Sequence, residues 1–193
     1  RLPNLFTGPN GQVYMSWVEE HEQTASLTYS VVRETGWSEP LTIASADNWF
    51  LNWADYPVIS SDDRGTILAQ IPERSGTGKL DYVVRSYVSM DSGMTWKNTF
   101  VVNEDRKGEH GFISSQPVGE SMMTIWLDGR NSVMEDHPGP EHSGRMTLRG
   151  ALFSKVGIKQ QEWELDSMTC DCCQTAAVKT SDGVFVVYRD RST

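Results

Sequence analysis

No apolar run in this chain approaches the roughly 20 residues that a membrane-spanning helix needs, which excludes a helical span. Basic residues are scarce: 17 Lys and Arg stand against 26 Asp and Glu, for a formal net charge of -9. A protein that grips nucleic acid without regard to sequence needs a basic footprint, so no nucleic-acid partner is expected. Cysteine is rarer still. Three in 193 residues is an odd number and excludes a complete disulfide framework. No long segment places apolar residues at helical spacing. The sequence opens at Arg1 with neither a methionine nor an apolar leader, as expected of a processed or excised piece of a longer product.

What the chain does contain points to β structure. Seven Trp, six Tyr and six Phe fall in short segments bounded by turn residues. Four of these segments repeat one pattern: QVYMSWV from Gln12, TILAQI from Thr66, MMTIWL from Met122 and VFVVYR from Val184. Each follows a turn (GPNG, DDRG, VGE, SDG), and they recur roughly every 50–60 residues, the period of an array or a propeller blade. Each interval divides into four strands. The spacing predicts strands over about 4–7, 12–18, 26–33 and 37–44, then about 57–61, 66–72, 80–89 and 96–103, then about 112–118, 121–127, 146–154 and 162–166. The expected fold is all-β: an incomplete propeller of four-stranded antiparallel blades, about three and a half of them, roughly half of a six-bladed ring. Blade 1 covers about 1–46, blade 2 about 55–103, blade 3 about 111–167, and a half blade 174–193. The missing blades would come from the rest of the gene or from another chain. The alternative is a compact β-sandwich of about fourteen strands.

The run SMDSGMTW, Ser89 to Trp96, has the residue types of a rigid hairpin tip. Asp91 can accept turn amides, Gly93 permits a positive φ, Ser89 and Thr95 can bond locally, and Trp96 can pack over the hairpin. It resembles the Asp box of sialidases and other bacterial-neuraminidase-repeat propellers, and that resemblance implies a sialidase-type propeller. Its position between the third and fourth strands of a blade puts it on the face opposite the loops that join blades. A structural role is therefore expected for Ser89, Asp91, Gly93, Thr95 and Trp96.

The loops after the second and fourth strands of each blade hold all four histidines and all three cysteines. Long loops gathered on one face of a rigid scaffold are where function concentrates. The segments NWFLNWADYP, EHGF, WLDGRN, CDCCQT and YRDRS on that face resemble a group of secreted bacterial proteins described as sialidase-like or exo-α-sialidase propellers. The resemblance implies a secreted, periplasmic or envelope protein directed at carbohydrate. It implies an exo-acting glycoside hydrolase for an acidic, sialic-acid-like sugar, with a tyrosine nucleophile contributed by a later blade. The alternatives are a non-catalytic propeller that binds glycan or protein through the same face, and a metal- or thiol-dependent envelope protein centred on CDCC.

Candidate residues follow from side-chain chemistry. Asp55, flanked by two tryptophans and a tyrosine, is the first candidate for acid/base work because apolar neighbours raise a carboxyl pKa; its other reading is a cap on the turn into Pro57. Asp128 and Asp190 are the second candidates. Arg130, Arg189 and Arg191 follow second strands of adjacent blades and could hold a carboxylate through guanidinium forks, or could instead pair with Asp128 and Asp190 and brace the loops. Trp53 and His110 complete the substrate-binding set. Cys170, Cys172 and Cys173 read as structural thiols or one disulfide, as a redox-active vicinal pair at Cys172–Cys173, or as a soft-metal site with His110, His137 or His142. No cofactor is required.

Overall fold

A computed structural model describes residues 1–104, 107–132 and 145–191. Among them every regular element is a strand. β1 (Asn4–Thr7), β2 (Val13–Glu20), β3 (Ala25–Arg33), β4 (Gly36–Trp37) and β5 (Leu41–Ala46) form the first sheet. β6 (Val58–Ser61), β7 (Ile67–Arg74), β8 (Tyr82–Ser89) and β9 (Lys97–Val101) form the second. β10 (His110–Val118), β11 (Ser121–Asp128), β12 (Thr147–Ser154) and β13 (Lys159–Asp166) form the third. β14 (Ala176–Lys179) and β15 (Val184–Val187) pair alone. All pairings are antiparallel meanders.

The first sheet departs from expectation at its last strand. Gly36–Trp37 pairs briefly with the end of β3, through Val32 opposite Trp37. The outer strand then begins again at Leu41, after Pro40, which has no N–H to give a ladder.

The sheets pack face to face around an axis. Successive first strands, β1, β6, β10 and β14, touch in that order. One apolar layer joins the first and second sheets through Leu27, Tyr29, Ile59, Ile71 and Tyr87. A second joins the second and third sheets through Val84, Val102, Ile113, Trp126 and Phe153. A third joins β10–β12 to the last pair through Phe112, Leu148, Val186 and Tyr188. A sheet covered on both faces needs strands that are apolar throughout rather than alternating. β7 and β8 are of that kind, buried along nearly their whole length, whereas the outermost β13 is mostly half-exposed. This radial stacking is an incomplete β-propeller, and it excludes a two-layer sandwich.

The Ser89–Trp96 turn closes on itself. Ser89 Oγ donates to Asp91 Oδ1 at 2.7 Å and accepts the Gly93 amide at 2.8 Å. Thr95 donates its amide and its hydroxyl to Asp91, at 2.9 and 2.6 Å. These donors, Thr95 first, hold the Asp91 carboxyl down to about 2. The Ser92 amide donates to Gly65 O at 2.9 Å, which ties the tip to the β6–β7 turn. The Trp96 ring meets Tyr29 of the first sheet edge-on at 5.7 Å. On this face, then, the tip binds a turn of its own sheet, and Trp96 carries the contact to the first sheet.

Candidate functional site

On the opposite face, the strand ends place polar side chains in a row. Asp55 precedes β6, Tyr82 begins β8, Glu109 stands just before β10, His110 opens it, and Asp128 ends β11 as the register partner of His110.

Asp55 is fully buried. The Phe112 amide donates to Oδ1 at 2.8 Å. Gly111 lies against Oδ2 so closely that a Cβ there would collide with it. Phe112 carries a φ of 53°, a strained conformation for a bulky residue, which turns its amide toward the carboxyl. Oδ2 receives no donor. Tyr82, beside it, has a single hydroxyl proton and gives it to Glu109 Oε1 at 2.7 Å. Burial pushes the Asp55 pKa up to about 7; the Phe112 amide opposes the rise and the Glu109 charge adds to it. Gly111 and Phe112 lie against the carboxyl, and of the two tryptophans expected to shield it Trp53 does not. Trp53 stands 86% exposed, while Trp49 packs against Tyr87.

His110 is also fully buried. Its Nδ1 lies 3.0 Å from Tyr82 O and 3.1 Å from Gly108 O. Both are acceptors, so Nδ1 carries a proton. Nε2 faces Asp128 Oδ1 at 3.6 Å. Asp128 takes the Trp126 indole N–H at 2.7 Å, the Arg130 amide at 3.0 Å and a two-pronged Arg130 guanidinium at 2.7 Å on each oxygen. Burial alone would raise this carboxyl, but His110 and Arg130 hold it well below the usual carboxylate range. Arg130 reaches on to Glu162, which also accepts from Arg149 and Lys159. The bracing alternative therefore describes Arg130: its fork is filled by its own loop.

Arg189 and Arg191 lie on the exposed edge after β15. Asp190 pairs with Thr169 in an isolated bridge, and the Cys170 amide donates to Arg189 O at 3.0 Å. Arg189 Nη1 lies 3.7 Å from Cys173 Sγ, and Arg191 Nη1 3.3 Å from Asp171 Oδ2. Cys170 sits between the other two thiols, 3.0 Å from Cys173 and 3.7 Å from Cys172. The three sulfurs thus form one cluster, all within 4.8 Å of one another. His137 and His142 lie outside the described residues, and His110 is turned toward Asp128.

Hollows open along the axis and between sheets. A groove of about 160 Å³ runs along the axis between inner strands, lined among others by Phe6, Tyr56, Gln116, Gln174 and Thr175. A polar cleft of about 320 Å³ opens between the first two sheets, with Glu20, His21, Asp47, Trp49 and Arg74 in its wall. Tyr82 and Glu109 were not singled out from the sequence. Strand phasing alone carried a signal for Tyr82, since the first residue of every third strand reaches this face.

No protein-family model matches the sequence, and no curated protein matches it. Among solved structures the chain is similar to an α-L-arabinofuranosidase from Fusarium graminearum in complex with an iminosugar inhibitor, with a TM-score of 0.59 and 11% sequence identity. The match covers 96% of this chain and 58% of that one, so the chain spans little more than half of that enzyme's length. At such identity the likeness shows the fold alone.

Proposed function

We propose that the loop face of this propeller is carbohydrate-directed and that the chain is part of a secreted or envelope exo-acting glycoside hydrolase, the rest of the ring being supplied by further blades. One observation carries the proposal: a buried carboxyl whose pKa is about 7, coupled through Tyr82 to the half-exposed Glu109 on the rim. In this mechanism Asp55 is a proton reservoir and Glu109 the catalytic residue. Asp55 passes its proton to Tyr82, whose hydroxyl proton moves to Glu109, and the protonated Glu109 gives it to the glycosidic oxygen as the C–O bond breaks. Water, or a nucleophile from the further blades, bonds to the anomeric carbon, and the proton released by the water returns to Asp55 through the solvent. A group with a pKa near the working pH is suited to this cycle. The sugar would enter the axial groove beside Tyr56, with exposed Trp53 as an aromatic platform. An acidic sugar would meet Arg189 at the rim, because the Arg130 fork is occupied.

The test is hydrolysis of aryl glycosides of neutral and acidic sugars by the full-length protein. Glu109→Gln is expected to lower kcat/KM by about 10²–10⁴-fold. Asp55→Asn is expected to abolish the alkaline limb of the pH profile near 7. The full burial of Asp55 favours a second function, a binding propeller in which Asp55 only braces β10. In that case no glycoside is turned over, yet glycan affinity falls on Trp53→Ala and survives Asp55→Asn.

A further inference from the structure

The loop between β13 and β14 carries the densest group of soft ligand atoms among the described residues. The sulfurs of Cys170, Cys172 and Cys173 all lie within 4.8 Å of one another. A metal–sulfur bond of about 2.3 Å sets three sulfurs around one ion roughly 3.8–4.0 Å apart. The two shorter separations, 3.0 and 3.7 Å, and the 4.8 Å bound bracket that spacing. A common centre is reached by small side-chain rotations.

The loop is fixed before any ion arrives. The Thr169 amide donates to Met146 O at 2.9 Å and the Cys170 amide to Arg189 O at 3.0 Å, which anchors the entry to two different strand ends. At the exit, Gln174 Nε2 donates to Ile113 O at 2.7 Å and Thr175 Oγ1 to Phe112 O at 2.6 Å. Preorganisation of this kind reduces the ordering cost of binding. The charge also fits. Three thiolates around a monovalent ion leave two negative charges, and Arg189 holds a guanidinium nitrogen 3.7 Å from Cys173 Sγ.

We propose that Cys170, Cys172 and Cys173 form a three-thiolate site for a soft, thiophilic metal ion, and that Cu(I) is the ion it fits. Thiolate ligands select soft ions, whereas closed zinc sites take four ligands. Binding exchanges three thiol protons for one Cu(I), with no change of oxidation state. The site is independent of the glycosidase proposal, since it uses none of Asp55, Tyr82 or Glu109. It is nevertheless joined to them mechanically: Thr175 holds the carbonyl of Phe112, whose amide holds Asp55.

The experiment titrates Cu(I), held by bicinchoninate, into anaerobic, reduced full-length protein, with Zn(II) against a chromophoric chelator in parallel. One Cu(I) per chain is expected, bound more tightly than Zn(II), with sulfur neighbours alone in X-ray absorption. Cys172→Ser removes an exposed side chain and should leave the melting curve unchanged. It should weaken Cu(I) binding by at least the roughly 10–100-fold that loss of an outer-shell partner alone costs a metal site. Failure to compete with the chelator overturns the proposal, as does equal Cu(I) affinity in the folded Cys172→Ser variant. Preference for Zn(II) overturns the assignment to Cu(I).

Discussion

Asp55 and Asp128 sit on the same face, and both are fully buried, yet their surroundings drive them apart. Asp55 has one backbone donor and a neighbouring carboxylate, so burial prevails and its pKa rises from 3.8 to about 7. Asp128 has Arg130, Trp126 and His110, so its ionised form prevails. The consequence for stability is specific in sign. A folded pKa above the unfolded value gives a contribution that is complete below about pH 4 and is lost as pH rises through 7. The gap corresponds to roughly 4 kcal/mol for so buried a group. Asp55→Asn, which is always neutral, should already exceed the wild type in melting temperature near pH 5 and exceed it by more near pH 8. An unchanged pH dependence between those values would contradict the assignment. Asp128 does not interfere in that window, because its contribution is lost only on acidification below the ordinary carboxylate range. At Arg130 the expectation is a large loss. Arg130→Ala leaves the buried Asp128 charge without its fork and should cost about 3–5 kcal/mol by denaturant unfolding. Arg189→Ala, on the exposed edge, should leave the unfolding curve where it was.

At the scale of elements, strand positions were legible because local rules agree. Turn residues mark the corners, and β-branched and aromatic runs lie between them. The misplaced element is the last strand of the first sheet, where Trp37 looked like a strand start but Pro40 resets the pairing. The Asp55–Tyr82–Glu109 group was not legible in the same way. Its members lie 27 residues apart in the chain, and they meet only because adjacent sheets stack. The expected shielding of Asp55 by Trp53 failed for the same reason: exposure is a tertiary property, and Trp53 stands exposed. The hairpin tip shows how closely elements interlock. Gly93 has a φ of 89°, and a Cβ there would strike the Tyr29 hydroxyl of the neighbouring sheet. Gly93→Ala should therefore destabilise by more than about 1 kcal/mol, and less in a Tyr29→Phe background, where the backbone strain and a tight approach of the ring carbon remain. Costs that simply add in a double-mutant cycle would refute the contact.

At the scale of the whole molecule, the arc of sheets leaves its last pair uncovered. Phe185 is 60% and Val187 54% exposed on β15, an apolar surface of the kind other sheets bury between them. These 193 residues in isolation should self-associate, and a monodisperse monomer in analytical ultracentrifugation would contradict an open arc. The fold is legible at 11% identity because blade repetition is a pattern of periods rather than of particular residues. Function is not legible to the same depth, because it depends on which charges the stacked sheets bury together. The most direct test of that claim is a carbon-13 titration of the side-chain carboxyl of Asp55 in full-length protein, assigned by its absence in Asp55→Asn. A single transition near pH 7 is expected, with the Asp55 carboxyl protonated at pH 5. A transition near pH 4, the ordinary range for an exposed aspartate, would contradict it.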